Sequence, residues 1–236
     1  MLCKLLGATE AAGNPGSHFH EPSIEAWLGY YDLKGGSFSS KQDALKAIFA
    51  AAAKVGKSES DIFGLRLQRD SFQFFADQLK VLHPNEATDF ERIEAAFGVT
   101  LFIYLRREDH LGQAISRLRA EQTGLWHRKA DGSDLERNAP TREAGYDHDT
   151  IQSYVQEAIV QNEQWARWFA EQSIMPLKIS YEELSRRPQA VLIQILTSLD
   201  LDASLAETVP VQTAKLADET NTAWRSRFEV ESKRAL

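Results

Sequence analysis

"LFIYLRREDHLGQAIS", residues 101–116, changes from an apolar run to four charged residues and then to a helical pattern. The nearly continuous apolar character of Thr100–Leu105 is typical of a strand that is covered on both faces. Apolar residues then recur at spacings of three and four, which predicts one buried helix face: Leu111, Ala114, Ile115 and Leu118. The stretch is therefore predicted to be a strand that leads directly into a helix, with Arg106 and Arg107 at the junction.

The rest of the chain alternates helical patterns with short strand patterns. Periodicity and capping residues predict helices around Leu2–Leu6, at Ile24–Tyr30 behind Ser23, from Ser40 through Ala53, and at Ser71–Leu82, Ala87–Phe97, Thr150–Gln172 and Pro188–Leu199, with further strands at Asp61–Gln68 and Met175–Ser180. Strands separated by helices predict an α/β fold, with a mainly parallel sheet flanked by helices. We expect one domain over residues 1–236, with an irregular surface loop at about residues 127–146.

Bulk composition excludes several classes of protein. The chain has 236 residues, 43% of them hydrophobic, which is enough for a sizeable core. Its formal net charge of −7 argues against a nucleic-acid partner, which requires a basic surface. The single cysteine, Cys3, excludes an internal disulfide and fits a reducing, cytoplasmic location. No apolar run has the length of a membrane span, and the first residues do not resemble a secretory signal.

The two arginines have two interpretations. Parallel α/β sheets bind ligands outside the carboxyl ends of their strands. A guanidinium can donate hydrogen bonds to two phosphate oxygens at once. The helix face opposite the core carries short groups that could lie under a ligand: Asp109, Gln113, Ser116 and Ala120. Alternatively, Arg106 or Arg107 pairs with Glu108 or Asp109 on the surface. The residues alone leave both interpretations open.

A longer segment, "LFIYLRREDHLGQAISRLRAEQTGLW", resembles the bacterial sulfotransferase family that includes trehalose 2-sulfotransferase and the rhizobial lipopolysaccharide and nodulation-factor sulfotransferases. "LLGATEAAGNPGSHFHEP", residues 5–22, is similar to the family's first helix and acceptor loop. "ISYEELSRRPQAVLIQIL", residues 179–196, is similar to a Tyr-Glu-x-Leu segment that is widespread in sulfotransferases. The resemblance covers almost the whole chain and implies a P-loop-like sulfotransferase fold.

The resemblance also implies a donor substrate and residues that bind it. In the family, an arginine followed by x-Asp and a helix with Gln-Ala-x-Ser holds the 3′-phosphate of 3′-phosphoadenosine 5′-phosphosulfate. Those positions are Arg107, Asp109, Gln113, Ala114 and Ser116, so the resemblance assigns the phosphate to Arg107 and Ser116, with Gln113 beside them. Arg106 falls where the family is not consistently basic, and we expect it to be a surface or supporting charge.

The beginning of the chain departs from the family pattern. Family members have a strand and an Arg-Ser-Gly-Ser-Thr type of loop, which binds the 5′-phosphate, just before the residues that correspond to Met1–Cys3. This N-terminal strand and phosphate loop are absent from the sequence. We expect either that further residues precede Met1 in the complete protein or that this is a truncated relative, and the coherent pattern elsewhere favours the first.

The base that accepts a proton from the acceptor hydroxyl is expected in the loop "SHFHE", residues 17–21. The family's expected glutamate corresponds to Ser17, which is no base, whereas His18, His20 and Glu21 can accept a proton, and His20 or His18 is favoured. The alternative is that they are polar loop residues that pack near Trp27 or Tyr30. A metal site at these side chains is disfavoured because no third well-spaced ligand accompanies the histidines.

Other candidate residues have structural or binding roles. Trp126 and His127 follow the predicted helix and are candidates for stacking on a sugar or adenine, although a tryptophan at a helix end is more often core. Tyr181 and Glu182 are expected to fix a strand-to-helix turn.

The sequence thus predicts a metal-independent enzyme that transfers a sulfuryl group from the phosphosulfate donor to a carbohydrate hydroxyl on a glycolipid, a lipopolysaccharide sugar or a trehalose-like acceptor. The alternatives are a P-loop kinase-like transferase, against which the absence of a Gly-x-x-x-x-Gly-Lys-Ser/Thr motif argues, and a truncated, non-catalytic nucleotide-binding or scaffold relative. Expected partners are the donor and the acceptor, and a homodimer is left open.

Overall fold

The computed structural model describes residues 1–34, 38–128, 134–137, 143–210 and 219–234. The helices are α1 Leu2–Gly7, α2 Ile24–Tyr30, α3 Lys41–Lys57, α4 Arg69–Leu82, α5 Asp89–Phe97, α6 His110–Thr123, α7 His148–Glu171, α8 Tyr181–Arg186, α9 Pro188–Ser198, α10 Leu205–Thr208 and α11 Glu219–Arg234. The strands are β1 Ile103–Arg106, β2 Leu125–Arg128, β3 Asp134–Arg137 and β4 Leu177–Ser180.

The protein is a mixed α/β structure that is mostly helical and has a small parallel sheet. Strands β1 and β4 are neighbours in a two-stranded sheet. Each of these strands leads into a helix within a few residues, α6 after β1 and α8 after β4. The α/β class is confirmed, and the P-loop-like details stay a prediction.

The chain folds into two compact units. The first comprises Met1–Tyr104, Trp165–Leu177 and Arg187–Pro210. Its core is a cluster of aromatic rings from the loop before α2 and from α2, α3, α4 and α7, centred on fully buried Phe19, Trp27, Phe72 and Phe75. Burial of this many aromatic side chains supplies a large hydrophobic stabilisation. The loop that contains the candidate base is therefore anchored on this core by Phe19.

The second unit comprises Leu105–Gln164, Lys178–Arg186 and Val211–Leu236. Its core contains the apolar face of α6 together with α11 and the start of α7: Ala114, Ile115, Leu118, Ile151, Trp224 and Phe228. The predicted core face of α6 is confirmed, because Ala114, Ile115 and Leu118 are buried and Leu111 packs against them. The prediction of a single domain over the whole chain stays a prediction.

Capping residues set several helix starts as predicted. The hydroxyl oxygens of Ser23 and Ser40 accept hydrogen bonds from the backbone N–H groups of Ala26 and Asp43, at 3.3 and 3.1 Å. The helix after Ser40 ends at Lys57, four residues beyond the predicted Ala53.

Two predicted segments differ in the structure. The strand predicted at Asp61–Gln68 is wrong: within it only Leu65 bridges, to Gly16, and α4 begins directly afterwards at Arg69. Its alternating apolar residues Leu65 and Leu67 instead pack against the aromatic core as irregular backbone. The stretch expected to be an irregular loop, residues 127–146, is regular in part, because β2 and β3 pair antiparallel.

Candidate functional site

The turn between β1 and α6 is held by a carboxylate from the segment after β4. The two oxygens of Glu182 accept hydrogen bonds from the backbone N–H groups of Glu108 and Asp109, at 3.2 and 3.3 Å. Burial alone would raise the pKa of Glu182, but these backbone hydrogen bonds and the charge of Arg107 lower it below its usual value. The predicted structural role of Glu182 at this turn agrees with this geometry.

Arg107 lies against the same segment. Its guanidinium carbon is 4.6 Å from the centre of the Tyr181 ring, and its Nε is 4.0 Å from a carboxylate oxygen of Glu182. The side chain is 22% exposed, and Nε is buried without a hydrogen-bond partner in the part of the chain that the structure describes. Because Nε is enclosed, a ligand could contact Arg107 only through the other donors of the guanidinium.

Arg106 has a different environment. Its side chain is 49% exposed, and its guanidinium lies 3.5 Å from the carboxylate of Glu108, which is itself 59% exposed. An exposed pair of this kind contributes at most about 1 kcal/mol to stability. The surface-pair interpretation therefore describes Arg106, and the two arginines are not equivalent.

The first turn of α6 is capped from within the protein. The Asp109 carboxylate accepts a hydrogen bond from the backbone N–H of Gly112 at 2.9 Å and pairs with Arg225 of α11 at 2.5 Å. Burial opposes ionisation of Asp109, but the hydrogen bonds from Arg225 and Gly112 outweigh it and lower its pKa. A bound anion at this turn would therefore rely on side-chain donors more than on the helix N-terminus.

Ser116 faces the C-terminal helix. Its Oγ lies 3.5 Å from Nδ2 of Asn221, at the long end of the hydrogen-bond range, and the Asn221 Oδ1 accepts a hydrogen bond from Arg119. Ala120, one turn on, is also buried. The short residues on this side of α6 are thus explained in part by contact with α11.

The remaining predicted binding residues are placed as follows. Gln113 is half-buried on α6. Trp126 lies in β2 and is 36% exposed, so it is not the core tryptophan that a helix end would favour. The backbone of His127 also belongs to β2, whereas its side chain lies outside the described part of the chain.

In the first unit, burial changes within the loop at 17–21: His18 and Phe19 are buried, whereas His20 and Glu21 are exposed. Phe19 is 1% exposed and packs on Trp27, Phe49 and Phe75 with ring centroids 4.6 to 5.0 Å apart. His20 is exposed. Glu21 is exposed as well, and its carbonyl accepts a hydrogen bond from the Trp27 indole. Burial of Phe19 and the indole hydrogen bond fix this loop, so His20 is presented on an anchored segment.

His18 is buried, with 9% of its surface exposed. Its Nδ1 is 3.3 Å from the Tyr31 hydroxyl, and its Nε2 is enclosed without a hydrogen-bond partner among the described residues. A Cβ atom at Gly56 would come within 2.9 Å of that nitrogen, so only glycine fits there. Burial lowers the pKa of His18, which keeps the ring neutral at pH 7. Neither ring nitrogen is open to a substrate in this arrangement.

Sequence reasoning missed two residues of α11 whose side chains contact α6. Asn221 and Arg225 lie one helical turn apart on α11, so their spacing alone could have placed them on one face. Tyr181 was expected to be structural, but the stacking of Arg107 on its ring could not be inferred from separation in sequence. Within the described ranges, no group of three or more metal-binding side chains is present, and no helix is long and apolar enough to cross a membrane.

Comparison with known proteins gives the class of the protein. The Stf0 sulphotransferase family matches residues 1–231, and the chain belongs to this family. Two curated relatives are trehalose 2-sulfotransferases. The one from Mycolicibacterium smegmatis is 25% identical over an alignment that covers 99% of this chain and 91% of the relative. The one from Mycobacterium tuberculosis is 29% identical over 136 residues, which span 57% of this chain and about half (47%) of that relative.

Proposed function

We propose that this protein transfers a sulfuryl group from 3′-phosphoadenosine 5′-phosphosulfate to a hydroxyl group of a carbohydrate. Membership of the Stf0 sulphotransferase family supports the reaction type. The observation that carries the donor assignment is Arg107, whose guanidinium is stacked on Tyr181 while 22% of its side chain stays exposed.

The donor's 3′-phosphate is assigned to Arg107 and Ser116. A guanidinium and a hydroxyl both donate to phosphate oxygens, and a charge-assisted contact from arginine is the stronger of the two. Stacking on Tyr181 restricts the guanidinium plane, so less conformational entropy is lost when the anion binds. Gln113, half-buried on the same helix, is assigned as an additional donor beside them.

The chemistry breaks the bond between sulfur and the phosphate oxygen of the donor and forms a bond between sulfur and the acceptor oxygen. Adenosine 3′,5′-bisphosphate leaves, and the acceptor's proton passes to a base. Like phosphoryl transfer, this reaction depends mainly on positioning and on stabilisation of charge at the leaving phosphate. The proposed reaction requires no metal ion.

His20 is the proposed base. It is exposed on a loop that Phe19 anchors, whereas both ring nitrogens of His18 are enclosed. An exposed imidazole can accept a proton from an acceptor hydroxyl. Glu21 is assigned to support the base, and the Glu21 carboxylate interacts with the Tyr30 hydroxyl, which raises the pKa of that tyrosine together with burial.

The acceptor is proposed to be a sugar, either free or as part of a glycolipid. Two relatives are named trehalose 2-sulfotransferases, and an exposed tryptophan such as Trp126 offers an apolar face on which sugar rings stack. His127, next to it in β2, is assigned with it to the acceptor. We further propose a cytoplasmic location, which the single cysteine, Cys3, fits.

The test measures binding and transfer separately on the purified protein. Calorimetry with adenosine 3′,5′-bisphosphate should give clearly tighter binding than adenosine 5′-monophosphate, which lacks the 3′-phosphate. Transfer of ³⁵S-labelled sulfate from the phosphosulfate is then screened on trehalose, lipopolysaccharide sugars and chitooligosaccharides. Equal affinity for the two nucleotides would contradict the 3′-phosphate site. Binding without transfer to any sugar would favour a non-catalytic nucleotide-binding protein.

A further inference from the structure

Three polar side chains form a chain of hydrogen bonds between α6 and α11. The Arg119 guanidinium donates to Oδ1 of Asn221, and Nδ2 of Asn221 faces Oγ of Ser116 at 3.5 Å. All three residues are partly buried, and the same two helices pack through Trp224 and Phe228 on one side and are joined by Asp109 and Arg225 at one end. The apolar packing on one side and the ion pair at one end limit the rotamers of the chain's members.

The order of donors and acceptors in this chain follows from its first member. A guanidinium donates and never accepts, so it fixes the oxygen of the Asn221 amide on its own side. The NH₂ group of the amide is then directed at Ser116. Because an NH₂ group only donates, the Ser116 oxygen is the acceptor of this contact.

We propose that Arg119 and Asn221 are positioning residues that orient the Ser116 hydroxyl as a donor to a phosphate group. A serine hydroxyl has one proton and can either donate it or accept with its oxygen, whereas phosphate oxygens at neutral pH accept. Engaging a lone pair of Ser116 with the Asn221 amide turns the hydroxyl proton away from α11. The proton is then available to the anion, and this proposal rests on the phosphate role of Ser116 given under Proposed function.

Arg119 has a second effect on an anion at Ser116. Its positive charge lies two hydrogen bonds from the hydroxyl, and it polarises the amide toward donation to Ser116. Asp109 and Arg225 neutralise each other nearby, so they provide little net charge at this position. The hydrogen-bonded chain Arg119–Asn221–Ser116, called the relay below, therefore adds selectivity for the 3′-phosphate without placing Arg119 in contact with it.

The test is a double-mutant cycle on the binding of adenosine 3′,5′-bisphosphate, measured by calorimetry. Asn221→Ala should weaken binding about 5-fold, as for loss of one neutral hydrogen bond. In the Ser116→Ala background, the same change should alter affinity less than about 2-fold, because nothing remains to be oriented. Affinity for adenosine 5′-monophosphate should be unchanged. Ser226→Ala, an exposed change on the same helix, is the matched control.

Two results would overturn the relay while leaving the proposed function in place. One is a loss of the same size in the wild-type and Ser116→Ala backgrounds. The other is an equal loss for both nucleotides, which a merely structural role of Asn221 would produce. If Ser116→Ala itself leaves bisphosphate affinity unchanged, the phosphate role of Ser116 fails and the relay with it. The outcomes thus separate failure of the relay from failure of the site.

Asn221→Asp provides the measurement if the alanine variant does not fold. It keeps an acceptor for Arg119 and removes the donor to Ser116, so its melting temperature should equal or exceed that of wild type. Its bisphosphate affinity should nevertheless fall. The loss measured in the Ser116→Ala background gives the contribution of the added charge alone. An additional loss in the wild-type background supports the relay, and no additional loss overturns it.

Discussion

At two places in the chain, two residues of the same type lie close together in sequence but differ in how far they are buried. In the loop at 17–21, His18 is buried and His20 is exposed; at the end of β1, Arg107 is the more buried and Arg106 the more exposed. Burial lowers the pKa of His18 and so disfavours its charged form. Arginine, by contrast, keeps its charge on burial. Tyr181 and Glu182 lie beside the Arg107 guanidinium.

The difference separates structural from functional candidates. His18 is buried and contributes to packing, whereas the exposed His20 is the proposed base. Arg107 is partly buried between a ring and a carboxylate and is the proposed anion ligand, whereas its exposed neighbour Arg106 forms a surface ion pair. Each prediction below tests one member of these pairs against the other, or the residues that hold them.

The largest effect is expected for the residue that anchors the histidine loop. Phe19→Ala removes a fully buried ring that packs on three other aromatic rings and should lower the free energy of unfolding by about 3–5 kcal/mol. Urea titration followed by circular dichroism measures it. The control is Glu25→Ala on the surface of α2, which should change stability by less than about 0.5 kcal/mol. A loss below about 1 kcal/mol for Phe19→Ala would show that the loop is not anchored on the core.

The second prediction concerns the two histidines directly. His20→Gln should reduce kcat at least about 100-fold through loss of the base, with little change in bisphosphate affinity. His18→Gln should mainly affect stability. Initial rates of labelled sulfate transfer and calorimetry on the same preparations provide the comparison, with Glu25→Gln as control. A rate that falls with His18→Gln and survives His20→Gln would reverse the assignment.

The third prediction separates the two arginines. Arg107→Ala should weaken binding of adenosine 3′,5′-bisphosphate by about 1.5–3 kcal/mol, as for loss of a hydrogen bond from a charged group. Arg106→Ala, the matched control, should leave affinity nearly unchanged because its guanidinium is exposed and pairs with Glu108. Calorimetry measures both variants. Equal losses would mean that general positive charge, and not the held guanidinium, binds the phosphate.

The fourth prediction tests the carboxylate that holds the turn at Arg107. Glu182→Gln keeps one acceptor oxygen but loses the charge, and should lower the free energy of unfolding by about 1–2 kcal/mol at pH 7. The pKa of Glu182 is lowered in the folded state, so its stabilisation is present above the usual value of 4.5 and is lost as pH falls below it. The variant should therefore show a shallower acid destabilisation than wild type between pH 5 and about 3. The exposed Glu143→Gln is the control, and an unchanged acid profile in Glu182→Gln would refute the prediction.

The smallest effect is expected from the charge of the buried histidine. The pKa of His18 is lowered from 6.5, so the unfolded chain binds its proton more readily than the folded chain does. The contribution of the neutral His18 ring to the free energy of unfolding should be fully present above pH 6.5. It should be lost as pH decreases below 6.5, by at most about 1.4 kcal/mol per pH unit. Chemical denaturation of wild type and His18→Gln between pH 7.5 and 5 tests this, with His20→Gln as control. The same slope in all three proteins would assign the pH dependence to other groups.

Local sequence patterns predicted most of the helices and the strand-to-helix stretch at residues 101–116. Helix caps and apolar helix faces depend on interactions within a few residues, so the sequence alone identified Ser23 and Ser40 as N-caps. The strand predicted at Asp61–Gln68 failed because alternation of Leu65 and Leu67 reports burial of one side and not pairing with a neighbouring strand. Pairing depends on distant segments that periodicity does not reveal.

The sequence by itself determined the family, the position of two arginines at the end of a strand, and the two histidines of the loop at 17–21 as candidates for a base. The tertiary structure decided which member of each pair is enclosed and which is exposed. It also brought Tyr181 and Glu182 to Arg107. In the same way it brought Asn221 to Ser116 and Arg225 to Asp109. The physical reason is that burial, stacking and ion pairing depend on side chains that lie about 70 to 120 positions apart in the chain, and local pattern contains no information on such distances.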